Sequence, residues 1–274
     1  MSAYYNEIDP FAAQWLRELI KAGHIAPGEV DTRSIENVEA NDLAGFTQCH
    51  FFAGIGTWSY ALRCAGWPDD RPVWTGSCPC QPFSAAGKRK GTADERHLWP
   101  AFFRLIRECR PDTVFGEQVA SPDGLAWFDI VSSDLEAEDY ACGAIDTCAA
   151  GFGAPHIRQR LFWVAYRLGN SYCQRLEGHS WDVKNQIQWE IQNGSSTEAS
   201  IFDKSKQYSD MWKDPDWIKC DDGKYRPIKS GLTPLADGTP QRVGRLRGYG
   251  NAIVAPQAAA FITTFMEWKH VYRS

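Results

Sequence analysis

The chain has 274 residues, 43% of them hydrophobic and 23% charged, with a net charge of -5. That suits one large globular domain, or one domain with a smaller insertion; no run of about 18 apolar residues would cross a membrane, and MSAYYNEIDP is not a secretory leader. Nine cysteines, spread from Cys49 to Cys220 with no CxxC pair, argue against a disulfide framework, a zinc ribbon or a redox dithiol, and for a reducing cytoplasm.

In chain order, Asp9-Pro10 is a helix start, and Phe11, Trp15, Leu16, Leu19 and Ile20 predict a helix over 11–22 that stops at Gly23. Residues 47–53 (TQCHFFA) predict a short buried strand, Gly54-Ile55-Gly56 a turn, and the following residues a helix to about Cys64. Val73-Trp74-Thr75 reads as a strand that runs into a Gly/Cys/Pro/Gln loop. A helix over 98–109, a strand at 113–115, a helix over 123–138 and strands at 141–148 and 160–166 follow. This alternation predicts an α/β fold with a parallel sheet covered by helices on both faces. Between about Leu168 and Gly244 the pattern stops; the segment is polar, carries Trp181, Trp189, Trp212 and Trp217, and is punctuated by Gly and Pro. It predicts a small irregular second domain at 168–244. The helical spacing of 256–268 closes a first domain made of 1–167 and 245–274.

Charge is unevenly spread. Residues 1–47 hold three basic and eight acidic side chains, whereas 219–247 hold seven basic and three acidic ones. The basic stretch suits an anionic partner such as a nucleic acid, although two solvated faces would look the same.

Five motifs can carry chemistry. Phe52-Ala53-Gly54-Ile55-Gly56 is a strand, a glycine turn and a helix N-terminus, where a ligand can approach backbone closely. Gly76-Ser77-Cys78-Pro79-Cys80-Gln81-Pro82-Phe83-Ser84 follows a strand, and its two prolines stiffen the loop around Cys80 as suits a held nucleophile. Glu117, in Gly116-Glu117-Gln118-Val119, ends a strand, where it can serve as general acid or merely be solvated. Arg158 and Arg160 alternate, and so share a face able to grip a phosphate or carbonyl oxygen. Arg247-Gly248-Tyr249-Gly250-Asn251-Ala252 turns into the last helix.

In succession these motifs resemble the DNA cytosine-5 methyltransferases, over about 47–167 and 245–268. The resemblance implies a Rossmann-like sheet that binds S-adenosylmethionine, with a target-recognition region inserted before the last motif, where 168–244 falls. It implies Cys80 as nucleophile on C6 of a cytosine flipped out of double-stranded DNA. Glu117 would donate to ring N3 and Arg160, with Arg158, would hold the O2 side. Phe52, Ala53, Gly54, Ile55, Gly56, Thr57, Asn251 and Ala252 would line the cofactor site. Gln81, Ser84, Lys88 and Arg89 in the loop, and Lys224, Arg226, Arg242 and Arg245 in the basic stretch, would contact DNA.

Two cofactor segments that the family places between the glycine turn and the Cys loop are missing there, since only residues 57–79 separate Gly56 from Cys80. The N-terminus is similar to them. Tyr5-Asn6-Glu7-Ile8-Asp9-Pro10 resembles the ribose segment, so Glu7 and Ile8 join the cofactor set, and Gly28-Glu29-Val30-Asp31 resembles the adenine segment, so Asp31 would accept the adenine amine. The order is thus permuted, with the second and third strands of the sheet first in sequence. Other departures are Gln118 where the family has Asn, His156 in place of a Gln before the paired arginines, and a shortened segment ahead of Asn251.

A zinc-dependent base deaminase also flips bases, but after its first Cys it needs two residues and then a second Cys, and after Cys80 come Gln81, Pro82 and then Phe83. No metal and no membrane are expected, and a monomer in a bacterial or phage-infected cytoplasm is. An RNA cytosine-5 methyltransferase, or an idle DNA-binding protein of the same fold, remains open.

Overall fold

A computed structural model of the chain describes residues 2–79, 98–154, 157–168, 215–219, 225–229 and 251–271; side chains are not described for 215–219, 225–229 and 271. The strands are β1 (Ser2–Asn6), β2 (Gly28–Asp31), β3 (Phe46–Phe51), β4 (Val73–Gly76), β5 (Thr113–Val119), β6 (Tyr140–Cys148), β7 (Gln159–Arg167), β8 (Pro215–Lys219) and β9 (Tyr225–Lys229). The helices are α1 (Pro10–Lys21), α2 (Thr57–Cys64), α3 (Leu98–Cys109), α4 (Pro122–Glu136) and α5 (Ala255–Val271).

Seven strands form one sheet in the order β2-β1-β3-β4-β5-β7-β6. The first two strands of the chain therefore sit beyond β3 at one edge, as the permuted reading requires. β1 lies between β2 and β3 and is parallel to both. A parallel sheet accepts this order because every strand still ends at the same rim. The β1–β2 contact is close: a Cβ on Gly28 would meet the Ala3 carbonyl oxygen at 1.9 Å, so only glycine fits there.

The sheet is mixed, not parallel throughout. β7 runs antiparallel to both β5 and β6. The cause is the connection. A parallel crossover needs about a dozen or more residues, usually with a helix. The ten residues 149–158 between β6 and β7 are too few for that, and those described among them form a short 3-10 turn, Ala149–Phe152, so the chain turns back.

Each helix forms for a local reason. In α1 the Asp9 carboxylate caps the backbone N–H groups of Phe11 and Ala12, with Pro10 at the first position. In α4 Ser121 caps Gly124, next to Pro122. α3 buries Trp99, Phe102, Leu105 and Ile106 at helical spacing. They pack with Phe51, Trp74, Val114 and Trp163 on the face that α4 also covers. The other face carries α1, α2 and α5, whose Leu16, Trp58, Leu62, Ala258 and Ile262 cover Tyr5, Phe115 and Phe162.

Of the 168–244 segment, an antiparallel pair, β8 with β9, is described. The remainder of that expected domain lies outside the described residues. Among the described residues no helix is long and apolar enough to cross a membrane.

Candidate active site

The carboxyl ends of β1, β3, β4 and β5 share one rim of the sheet, and the expected site residues gather there in two clusters.

The first cluster is the glycine turn with Glu7. One Glu7 oxygen accepts the Gly54 N–H at 2.7 Å, and the other accepts the Asp9 N–H at 2.8 Å. The turn is strained as a ligand-holding loop is. Phe52, Gly54 and Gly56 have φ of 52°, 55° and 78°, values costly for any residue but glycine. Gly56 caps α2 from the left-handed region. A Cβ there would lie 3.1 Å from Leu16 and Ile25, so the protein fills that side. A Cβ on Gly54 would meet nothing within 4 Å, so the opposite side of the turn is open. Ile8 stands exposed beside it, an unusual place for a large apolar side chain. Burial pushes the Glu7 carboxyl above the usual carboxylate range, against the pull of the Asp9 and Gly54 amides.

Asp31 is already engaged at the end of β2. Its carboxylate accepts the Tyr4 hydroxyl at 2.6 Å, the Arg33 guanidinium at 2.7 and 2.9 Å, and the Arg33 backbone N–H at 2.8 Å. Burial acts to raise its pKa, but the Arg33 and Tyr4 hydrogen bonds outweigh it and hold the carboxyl below its ordinary value. A ligand amine would have to displace one of these donors. The sequence gives a signal for this clamp in Arg33, two residues on, which also bridges to Asp42 at 2.9 Å.

The second cluster is Glu117 with its partners. Glu117 belongs to β5 rather than to a loop after it, and it is 8% exposed. Its register partner on β7 is Phe162, and Arg160 pairs with Val119 two positions on. Arg160 is thus a diagonal neighbour on the same face, and its Nε lies 2.5 Å from Glu117 Oε1. Burial raises the Glu117 pKa; Arg160, Arg158 and a hydrogen bond from Ser77 pull it back without reversing the shift. Arg158 instead donates to the Ala252 carbonyl at 3.0 Å, fixing the residues ahead of α5 onto β7. Ala252 is half-buried and Asn251 exposed at this junction.

The loop after β4 is described only as far as Pro79, so Cys80, Gln81, Ser84, Lys88 and Arg89 lie outside the described residues. So do His156, Lys224, Arg242 and Arg245, while Arg226 is placed in β9 by its backbone alone. The stem of the loop is fixed, however. Gly76 packs where a Cβ would meet the Phe102 ring at 2.4 Å. Ser77 accepts the Trp58 indole N–H at 2.9 Å. Cys78 is buried, which pushes its thiol far up and makes it inert. Sequence reasoning gave no part to Trp58 or Ser77, which the structure joins at the stem of the loop. The available signals were an indole in the first turn of the helix after the glycines, and a hydroxyl between β4 and the Cys loop.

Among known proteins, residues 66–226 match the family described as C-5 cytosine-specific DNA methylase. The chain is 33% identical over 102 residues to the type II methyltransferase M.HhaI of Haemophilus parahaemolyticus, covering 36% of this chain and 31% of that protein. It is 25% identical over 224 residues to the type II methyltransferase M1.ScrFI of Lactococcus lactis subsp. cremoris, covering 68% of this chain and 56% of that one. The matches thus span about a third to about half of the relatives' lengths. Among solved structures, a mutant of Spodoptera frugiperda DNMT2 aligns at a TM-score of 0.41 and 14% identity, covering 62% of this chain and 43% of that one.

Proposed function

The chain belongs to the C-5 cytosine-specific DNA methylase family, and on that premise we propose that it moves a methyl group from S-adenosylmethionine to C5 of a cytosine in DNA. One observation carries the proposal: Glu117, buried at the end of β5, is paired with Arg160 on the face that also holds the cofactor turn.

S-adenosylmethionine fits the first cluster. The open side of Gly54 leaves room for a ligand against the backbone. Each Glu7 oxygen uses one lone pair on a backbone N–H, so each keeps a second for a ribose hydroxyl. Ile8 offers an apolar surface to the adenine ring. Phe52, Ala53, Ile55 and Thr57 shape the turn around the ligand, and Asn251 and Ala252 would close it from the residues just ahead of α5. Asp31, held by Arg33 and Tyr4, acts by fixing the end of β2. When bound, the cofactor supplies an electrophilic methyl group.

Everything else falls to the chain. Cytosine C5 is a poor nucleophile until C6 is attacked. Cys80 adds to C6 as a thiolate, and a thiol of ordinary pKa near about 8.5 needs some lowering to do so. Negative charge then builds on the ring. Glu117, whose burial favours the neutral form, donates its proton to N3, and Arg160 with Arg158 holds the O2 carbonyl. After transfer, water removes the C5 proton and Cys80 departs. The base must leave the duplex for this, at a cost of a few kcal/mol. The basic side chains of 219–247, with Lys88 and Arg89, would hold the phosphates, and 168–244 would read the target.

Labelled S-adenosylmethionine with unmodified genomic DNA, followed by bisulfite sequencing, tests this reading. Label at C5 of cytosine in one sequence context is expected, and Cys80→Ser should abolish it with cofactor binding intact. Label on tRNA in place of DNA, or full rates in Cys80→Ser, would overturn it.

A further inference from the structure

Two stretches far apart in the chain meet at the glycine turn: β1, which leads to Glu7, and the run from β3 through the turn into α2. Behind the turn, on the side that Leu16 and Ile25 fill, three residues from separate segments form one hydrogen-bonded ring. Tyr5 is on β1, Ala26 lies just ahead of β2, and Ser59 is in the first turn of α2. The Tyr5 hydroxyl stands 2.7 Å from the Ala26 carbonyl oxygen and 3.0 Å from Ser59 Oγ, and Ser59 Oγ stands 3.1 Å from the Ala26 amide nitrogen. The Ala26 peptide fixes the direction of each bond. Its N–H can only donate, so Ser59 Oγ accepts; its carbonyl can only accept, so the Tyr5 hydroxyl donates. The remaining proton, on Ser59, closes the ring on Tyr5 Oη. Tyr5, Ser59 and Ala26 are 0%, 1% and 2% exposed, so bulk water does not reach a member left unpaired.

The ring lies two residues before Glu7 on one strand and three residues after Gly56 on the helix. Glu7 reaches Gly54 through a single hydrogen bond, and its oxygens face a ligand only if β1 stands at the right height beside β3. Strand pairing alone sets this weakly. No tight turn joins β1 to β3, and their register shifts between Ser2 and Ala3. A slip of one residue would turn Tyr5 to the other face and open the ring. The ring therefore holds the register in which Tyr5 pairs with His50, where its aromatic ring stacks on the imidazole at 4.9 Å. The Ala53 N–H, donating to the Asn6 carbonyl at 3.0 Å, carries that register into the turn. We propose that Tyr5 and Ser59 are positioning residues for the cofactor: their ring with the Ala26 peptide sets Glu7 against the glycine turn, so S-adenosylmethionine affinity depends on two buried hydroxyls that do not touch it. The inference rests on the reading of Glu7 as the ribose acceptor.

The test compares Tyr5→Phe, Ser59→Ala, Glu7→Ala, the Glu7→Ala/Ser59→Ala double variant and Leu135→Ala, all on the full chain. S-adenosylmethionine affinity is measured by calorimetry, stability by thermal melts, and methyl transfer to DNA over a series of cofactor concentrations. Tyr5→Phe and Ser59→Ala each leave ring members buried without a partner. Each should weaken cofactor binding about tenfold, with the change in KM and not in kcat. Leu135, buried under α4 on the opposite face of the sheet, controls for stability: Leu135→Ala should lower Tm at least as far and leave affinity unchanged. Because the ring acts through Glu7, the double variant should bind no more weakly than Glu7→Ala. Parental affinity in Tyr5→Phe and Ser59→Ala, an equal loss in Leu135→Ala, or a further tenfold loss in the double variant would each overturn the positioning role, while a weakened Glu7→Ala keeps the ribose reading. Parental affinity in Glu7→Ala would remove the ribose reading, and the positioning role with it. If Ser59→Ala does not fold, Tyr5→Phe, which keeps the aromatic packing, decides.

Discussion

Glu7, just past β1, and Glu117, near the carboxyl end of β5, stand at one rim of the sheet, and burial raises the pKa of both, yet they are held in different ways. Glu7 is gripped by two backbone amides, of Asp9 and Gly54, which move only if the loop moves. Glu117 is held by side chains at the start of β7, Arg160 in contact and Arg158 through its charge. The first arrangement makes a fixed acceptor, fit to hold the ribose of the proposed cofactor, a part that the proposed reaction leaves unchanged. The second makes a carboxyl whose proton can be lent, because its partners are side chains that can follow a change in charge. On the proposed function, identical side chains at one rim take binding and chemistry as separate tasks.

The largest effect expected from breaking this contrast is in Glu117→Gln. It keeps shape and loses the acid, so kcat should fall about 100- to 10,000-fold, with cofactor binding by calorimetry unchanged. Glu7→Ala should act on the other side. Losing an acceptor for two ribose hydroxyls costs roughly 1–3 kcal/mol, so S-adenosylmethionine should bind about 5- to 150-fold more weakly, with DNA binding unchanged. Gly54→Ala sharpens the point. It leaves both glutamates in place but puts a methyl group into the open side of the turn at positive φ, and should cost about 1–2 kcal/mol of stability besides weakening the cofactor. A thermal melt separates the two losses.

The smallest effect concerns His50, on β3 beside the Glu7 strand. It is fully buried, stacks on Tyr5 at 4.9 Å and shares a 2.8 Å hydrogen bond with Thr75. Burial pulls its pKa down to about 3. The folded protein refuses a proton that the unfolded chain accepts below about pH 6.5, so stability drops as pH falls from there toward the folded value. The glutamates run the other way. Their raised values mean that the folded state takes protons first, a gain complete below the unfolded carboxylate range and lost as pH rises through the folded value. At pH 5.5 the His50 loss is about 1.4 kcal/mol. His50→Gln should therefore show a smaller drop in melting temperature between pH 7.5 and 5.5 than the parent, and an equal drop would remove His50 from the account.

Local signals carried most of the fold. The 98–109 helix and the 113–119 strand stand as their apolar spacing predicts, because that spacing answers to a face buried in the core. The permuted order was readable from Glu7 and the strand–helix–strand pattern around it, and β2-β1-β3 follows. The reversal of β7 was legible only in the length of its connection, and periodicity does not report strand direction. Within the site, the family resemblance of the motifs around them singled out Glu7 and Glu117. Their partners were less visible. The Arg33 clamp on Asp31 and the Trp58–Ser77 hydrogen bond join residues through side-chain geometry, which no spacing rule encodes.

The division of labour between the two glutamates is tested most directly by initial rates of methyl transfer to unmodified DNA over a series of S-adenosylmethionine concentrations, for the parent, Glu7→Ala and Glu117→Gln. Glu7→Ala should recover nearly the parental rate once the cofactor is saturating, and Glu117→Gln should stay slow at every concentration. Recovery of Glu117→Gln by added cofactor, or a Glu7→Ala enzyme that stays slow with its KM unchanged, would contradict the account.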